Sequence, residues 1–203
     1  MFTLLKTTLA AASCIAASLP ATAALQIDGV SLEESVQVAG KNLKLNGAGI
    51  SMRMIFRVYA MGLYLPIRQD TTQDVLRGDG PRRLLITMLR DVSCSDFNDK
   101  LREYALAEGT SIPTNILDNM QRLVQALERQ ADGLRKGDVL TLDWVPGSGT
   151  QVELNNKPLT PPLRDIAFYK ALLNIWIGDK PTDATLKMKL LGQVPEVRSA
   201  LRD

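Results

Sequence analysis

A chain of 203 residues, 45% of them hydrophobic, is long enough to bury one sizeable core, and a formal charge of +2 gives no broad electrostatic attraction to nucleic acid or to an anionic membrane surface. Histidine is absent, which removes His-based triads, imidazole general bases and the common zinc sites together. Any chemistry must use Arg, Lys, Tyr, Ser, Thr or carboxylates, and no acidic run has calcium-loop spacing, so neither metal nor cofactor is expected.

Residues 1–23 read as a secretory leader. A short basic start through Lys6 precedes an Ala/Leu-rich segment from Thr7 to Leu19, and Ala21-Thr22-Ala23 has the small-x-small form of a cleavage site. Cys14 follows Ala11-Ala12-Ser13, a weak echo of a lipoprotein box without its leucine. Cleavage after Ala23 removes Lys6 and Cys14, leaves a nearly neutral domain over residues 24–192 and places the protein in the periplasm without a transmembrane segment. Cys94 then has no intrachain partner, so stability must come from packing.

Val30-Ser31-Leu32 and Val36-Gln37-Val38 alternate as an edge strand or hairpin does, and Lys41–Leu45 begins the next pairing. Asn46-Gly47-Ala48-Gly49 reads as a turn. No Gly-Lys-Ser/Thr and no helix follow it, which argues against a phosphate loop. From Ile50 to Leu65 the pattern has period two and predicts one long strand. At about 3.3 Å per residue it would extend about 50 Å, so a bulge is expected, with Gly62 the candidate. Its even face is apolar; its odd face runs from Ser51, Arg53 and Arg57 through Tyr59 to Met61 and Leu63, changing from polar to apolar.

Pro66 ends the strand, Thr72–Leu76 makes a helical turn, and Arg77–Pro81 is loop. Arg82–Asp91 is a strand apolar on both faces at its centre, as a middle strand should be. Ser93 or Ser95 caps a helix from Asp96 to Glu108, and Ile116–Ala131 forms a second with Leu117, Met120, Leu123, Val124 and Leu127 as its stripe. Asp138–Val145 and Thr150–Leu154 form a hairpin, Asn155-Asn156 a tight turn. Thr160 with Pro161 or Pro162 starts a strongly apolar helix through Ile177, Thr182–Leu191 is a last short helix, and residues 193–203 are a polar tail. The order of elements predicts an α+β domain, an antiparallel sheet with helices on one face.

Gly47-Ala48-Gly49, then Val58-Tyr59-Ala60-Met61-Gly62-Leu63-Tyr64-Leu65, then a strand, two helices, a hairpin and a helix ending in Trp176-Ile177-Gly178 resemble the chalcone isomerase-like proteins, most closely their bacterial exported branch. The resemblance covers about Gly29 to Gly192 and implies an open-faced β-sandwich with a ligand cleft between sheet and helices. It further implies either an isomerase, with an arginine and hydroxyl groups around a phenolate and ketone, or a fatty-acid binder, with an arginine and a tyrosine on a carboxylate.

Carried across, the family arginine falls on Ser51, with Arg53 two places on. The isomerase threonine falls on Tyr59, which matches the tyrosine of the fatty-acid-binding members. The catalytic tyrosine and its asparagine partner fall on Phe97 and Tyr104. Loss of one oxyanion donor costs about a hundred- to a thousandfold in rate, so these substitutions argue against chalcone isomerase activity, and no catalytic residue is assigned. The expectation is a non-catalytic binder of a fatty acid or similar apolar anion, with Arg53, Arg57, Tyr59, Ser51, Phe97 and Tyr104 as ligand-binding residues. Its rivals are a partner-binding module with a filled core and an isomerase acting on an enone.

Overall fold

The computed structural model describes residues 24–93, 99, 112–130 and 133–193. The chain opens with a hairpin of β1 (Ala24–Ile27) and β2 (Val30–Glu33), whose turn residues Asp28 and Gly29 both sit at positive φ. A seven-stranded sheet follows: β3 (Ser35–Val38), β4 (Lys41–Arg53), β5 (Phe56–Leu65), β6 (Arg82–Met88), β7 (Val139–Val145), β8 (Gly149–Leu154) and β9 (Lys157–Pro158). Each strand pairs antiparallel with its neighbour in sequence. The described helices are α1 (Thr72–Arg77), α2 (Thr114–Glu128), α3 (Ile166–Ile177) and α4 (Ala184–Leu190).

Strand alternation sorts the side chains into two cores. Met61 and Leu63 of β5 and Leu84, Ile86 and Met88 of β6 face the helices, packing in one cluster with Leu123 and Leu127 of α2, Phe168 and Leu172 of α3, and Leu186 of α4. Each such fully buried side chain contributes roughly 1.5–3 kcal/mol, which outweighs the propensity of any single helix residue. On the opposite face Leu43, Leu45 and Tyr64 pack beneath Leu32 of the β1–β2 hairpin. This is the α+β arrangement the order of elements implies, with β6 a middle strand between β5 and β7.

The long strand expected from Ile50 to Leu65 is instead a hairpin. β4 ends at Arg53, Met54 and Ile55 make the turn, and β5 returns from Phe56, with Arg53 opposite Phe56 and Ser51 opposite Tyr59. Nothing in Met-Ile signals a turn, and a two-residue reversal leaves the period-two pattern running through it. Gly62 is not a bulge; it pairs regularly with Ala48 and Leu85, and the register shifts fall between Leu45 and Gly47 and between Ser51 and Met52.

Nor is Asn46-Gly47-Ala48-Gly49 a turn. It lies within β4, and a Cβ on Gly47 would overlap the carbonyl oxygens of Lys189 and Leu190, so the missing side chain lets α4 pack directly on the strand. Asn46 fastens that junction: its side-chain amide donates to Leu190 O at 2.7 Å and Gln69 O at 2.9 Å, and its Oδ1 accepts from Gln69 N at 2.7 Å. The helix expected from Thr160 starts only at Ile166, where Asp165 caps it through Ala167 N at 2.8 Å, because Leu163 first bridges to Thr150 at the sheet edge. The helix expected over 96–108, with Cys94 at its start, lies outside the described residues, as do residues 1–23 and the tail beyond Gln193.

Candidate functional site

Ser51 and Tyr59 meet because β4 and β5 place them directly opposite each other on the helix-facing side of the sheet. Both are buried, with 8% and 9% of their surfaces exposed. From α3, Trp176 donates its indole Nε1–H to the Tyr59 hydroxyl at 2.8 Å. A buried indole N–H needs such an acceptor, and the phenol keeps its own proton to donate. Burial pushes the Tyr59 phenol above its usual value, with Asp183 adding to the rise; hydrogen bonds with Ser51 and Trp176 oppose it without reversing it. Tyr59 is therefore a neutral hydrogen-bond donor at physiological pH, suited to holding a carboxylate and not to acting as a base.

The arginines do not join this cluster. Arg57 pairs with Asp28 in the β1–β2 turn, so its guanidinium goes to the face away from the helices. The register shift after Ser51 accounts for this, since it breaks the alternation that would have put Arg57 on the Tyr59 face. Arg53 closes the hairpin turn opposite Phe56 and is exposed; by alternation it shares the face of Ser51. Phe97 and Tyr104 lie outside the described residues.

Two residues of functional character escaped the sequence. Trp176 was read only as part of an apolar helix, although its N–H was signal enough to ask for a buried partner. Arg82 opens the strand expected over Arg82–Asp91, outside its apolar centre, yet it lies on the same face of β6 as Leu84, Ile86 and Met88 and is 2% exposed. Its Nη1 makes no hydrogen bond, and burial pulls its pKa down despite the nearby Tyr169 and Asp79. Its neighbour Arg83 points the other way and grips Asp143 with two hydrogen bonds, Nε to Oδ1 at 2.7 Å and Nη2 to Oδ2 at 2.6 Å.

Two cavities lined by described residues lie away from Tyr59. One of about 90 Å³ is bounded by Leu65, Pro66, Val75, Asp79 and Arg82, and one of about 280 Å³ by Arg122, Gln125, Arg129, Leu159, Thr160 and Pro162.

A seven-stranded antiparallel meander with helices on one face, and a buried tyrosine and serine between the layers, is a two-layer α+β architecture. The chain belongs to the chalcone isomerase-like family, whose model matches residues 24–192. No curated protein sequence matches it. Among solved structures it is similar to the crystal structure of a fatty-acid binding protein from Arabidopsis thaliana, with a TM-score of 0.65, 13% sequence identity, and coverage of 83% of this chain and 96% of that one. At that identity the likeness establishes the shared fold.

Proposed function

We propose that the protein is an exported, non-catalytic binder of a fatty acid or similar apolar anion, holding it between sheet and helices with Tyr59 and Ser51 at the carboxylate. The observation that carries this reading is the buried Tyr59 hydroxyl beside Ser51, which accepts from Trp176 and keeps its own proton to donate. Membership in the chalcone isomerase-like family and the likeness to a plant fatty-acid binding protein support it. Arg53, two residues from Ser51 and about 7 Å further along the same face, is the cation in reach of the anion's rim. Arg57, engaged with Asp28, has no part. The leader over residues 1–23 supports action in the periplasm.

Protein purified from its native compartment should release a fatty acid on denaturation, detected by mass spectrometry, and the purified protein should bind fatty acids in titration. Tyr59→Phe and Arg53→Gln should each weaken that affinity about tenfold, the loss of roughly one hydrogen bond to a charged group. Absence of ligand in both experiments would overturn the proposal.

The partner-binding module with a filled core stays as the second reading, because Met61, Leu63, Leu84, Ile86, Leu172 and Leu173 are packed with no exposed surface or almost none. It is favoured if the ligand experiments fail while the fold is intact. An enone turned over by the wild type and not by Arg53→Ala would revive the isomerase reading.

A further inference from the structure

The tip of the β4–β5 hairpin breaks the rules that the other turns of this molecule keep. The β1–β2, β3–β4 and β8–β9 turns use Asp28-Gly29, Ala39-Gly40 and Asn155-Asn156, all at positive φ, and each pair contains a glycine or asparagine that tolerates it. The β4–β5 turn instead puts Met54 at φ 56°, a conformation that costs a side-chain-bearing residue free energy Asn or Gly largely avoids. It also leaves Met54 89%, Ile55 81%, Phe56 53% and Met52 44% exposed at one end of the sheet. Ala39 shares the positive φ but is small and followed by glycine; the Met54-Ile55 pair has neither glycine nor asparagine and exposes large apolar side chains, a local rule broken with no evident structural return, which marks a candidate functional position.

Charge surrounds the apolar tip. Arg53 stands at the turn, Arg90 lies over the Phe56 ring at 5.2 Å from its centroid, and neither forms an ion pair with a described residue. The nearby carboxylates are already engaged: Asp28 by Arg57, and Asp183 by the backbone N–H groups of Met52 at 3.3 Å and Leu186 at 3.0 Å. The backbone up to the turn is paired within the hairpin, so burying the tip in an apolar medium strands few polar groups.

We propose that this tip docks on an anionic lipid bilayer, with Met54, Ile55 and Phe56 entering the boundary between headgroups and acyl chains and Arg53 and Arg90 lying against the lipid phosphates. A convex turn of four apolar side chains offers less than the roughly 800 Å² per partner of a stable protein interface, whereas a bilayer surface accommodates a convex wedge of this size. The inference stands apart from acyl binding, since it requires no ligand in the cleft.

Protein produced from the full chain and recovered in soluble form is mixed with vesicles of phosphatidylcholine alone or with about one-third phosphatidylglycerol, with no fatty acid added. The wild type should co-sediment with the anionic vesicles. Met54→Asn combined with Ile55→Ser should lower the partition coefficient at least tenfold while leaving the melting temperature equal or higher, an opposition that a purely structural role would not produce. Arg53→Gln with Arg90→Gln should abolish the preference for anionic lipid, and Phe56→Trp should shift its emission to the blue on anionic vesicles. Tyr59→Phe should partition like the wild type, separating this result from the fate of the acyl reading. A wild type that ignores both vesicle types, leaving the tip to a protein partner, or a tip variant that binds as well as the wild type, overturns the assignment.

Discussion

Arg82 is the charged side chain this sheet buries against the helices. A buried guanidinium whose Nη1 has no hydrogen-bond partner among the described residues carries a desolvation penalty of several kcal/mol, which Asp79, lying beyond ion-pair distance, only partly relieves. Replacing such a group with an apolar side chain of similar reach removes the penalty. Arg82→Met should therefore stabilise the fold by about 1–3 kcal/mol, read as a higher urea midpoint at unchanged slope. A lower midpoint would mean that the guanidinium has a partner worth more than its desolvation. The contrast with Arg83 shows what the sequence could and could not tell. Two adjacent arginines open β6, alternation sends one to each face, and the identity of the buried one follows from Leu84, Ile86 and Met88 on its side. That Asp143 answers Arg83 and no described carboxylate pairs with Arg82 depends on β7 lying alongside, which no local pattern carries. Tyr59 was legible for the converse reason: it sits where a strand face turns from polar to apolar, and that transition is written in the residues themselves.

At the level of elements, the glycines of β4 divide by what each would meet. A side chain on Gly47 would run into the backbone of Lys189 and Leu190 at the end of α4, and backbone cannot give way without moving the helix. A side chain on Gly49 would come within 2.9 Å of Leu186 Cδ1 and Lys189 Cδ and 3.1 Å of Lys189 Cβ, side-chain atoms that give way more readily than backbone. Gly47→Ala should accordingly cost about 3 kcal/mol or more, and Gly49→Ala about 1–2 kcal/mol, in chemical denaturation. Equal costs would mean that α4 is not packed on the strand at Gly47. The same glycines explain where local reading failed. A glycine in a strand marks either a turn or a close approach, and only the helix arriving some 140 residues later decides between them. The true turn, at Met54-Ile55, carries no turn chemistry, even though Met54 sits at φ 56°. One misreading concealed the other: with a turn placed at Gly47, the apolar run beyond it had nowhere to reverse.

For the molecule as a whole, the antiparallel sheet with helices on one face was legible because every strand pairs with its sequence neighbour, so the order of elements along the chain is also their order in space. The covering of the second face by β1 and β2 was not, since a short alternating segment does not say which surface it will lie on. Closing both faces buries tyrosines on each side, with consequences at high pH. Burial pushes Tyr59 and Tyr169 up on the helix side, and Tyr64, beneath the β1–β2 hairpin, up to about 12, with its hydroxyl unpartnered. In the unfolded chain all three ionise near the ordinary value of about 10. Below that pH both states hold the protons and stability is unaffected; above it the unfolded chain releases them while the folded state retains them, so stability falls as pH rises. The urea midpoint should thus hold steady up to about pH 10 and drop between about 10 and 12, the window set by Tyr64. Lysine deprotonation overlaps this range, so the comparison with Tyr64→Phe isolates the tyrosine. That variant removes a hydroxyl with no hydrogen-bond partner among the described residues, should be at least as stable as the wild type at neutral pH, and should lose stability less steeply above pH 10. If its curve runs parallel to the wild type's through pH 12, the Tyr64 phenol is not sealed beneath the hairpin and the second core is open to solvent.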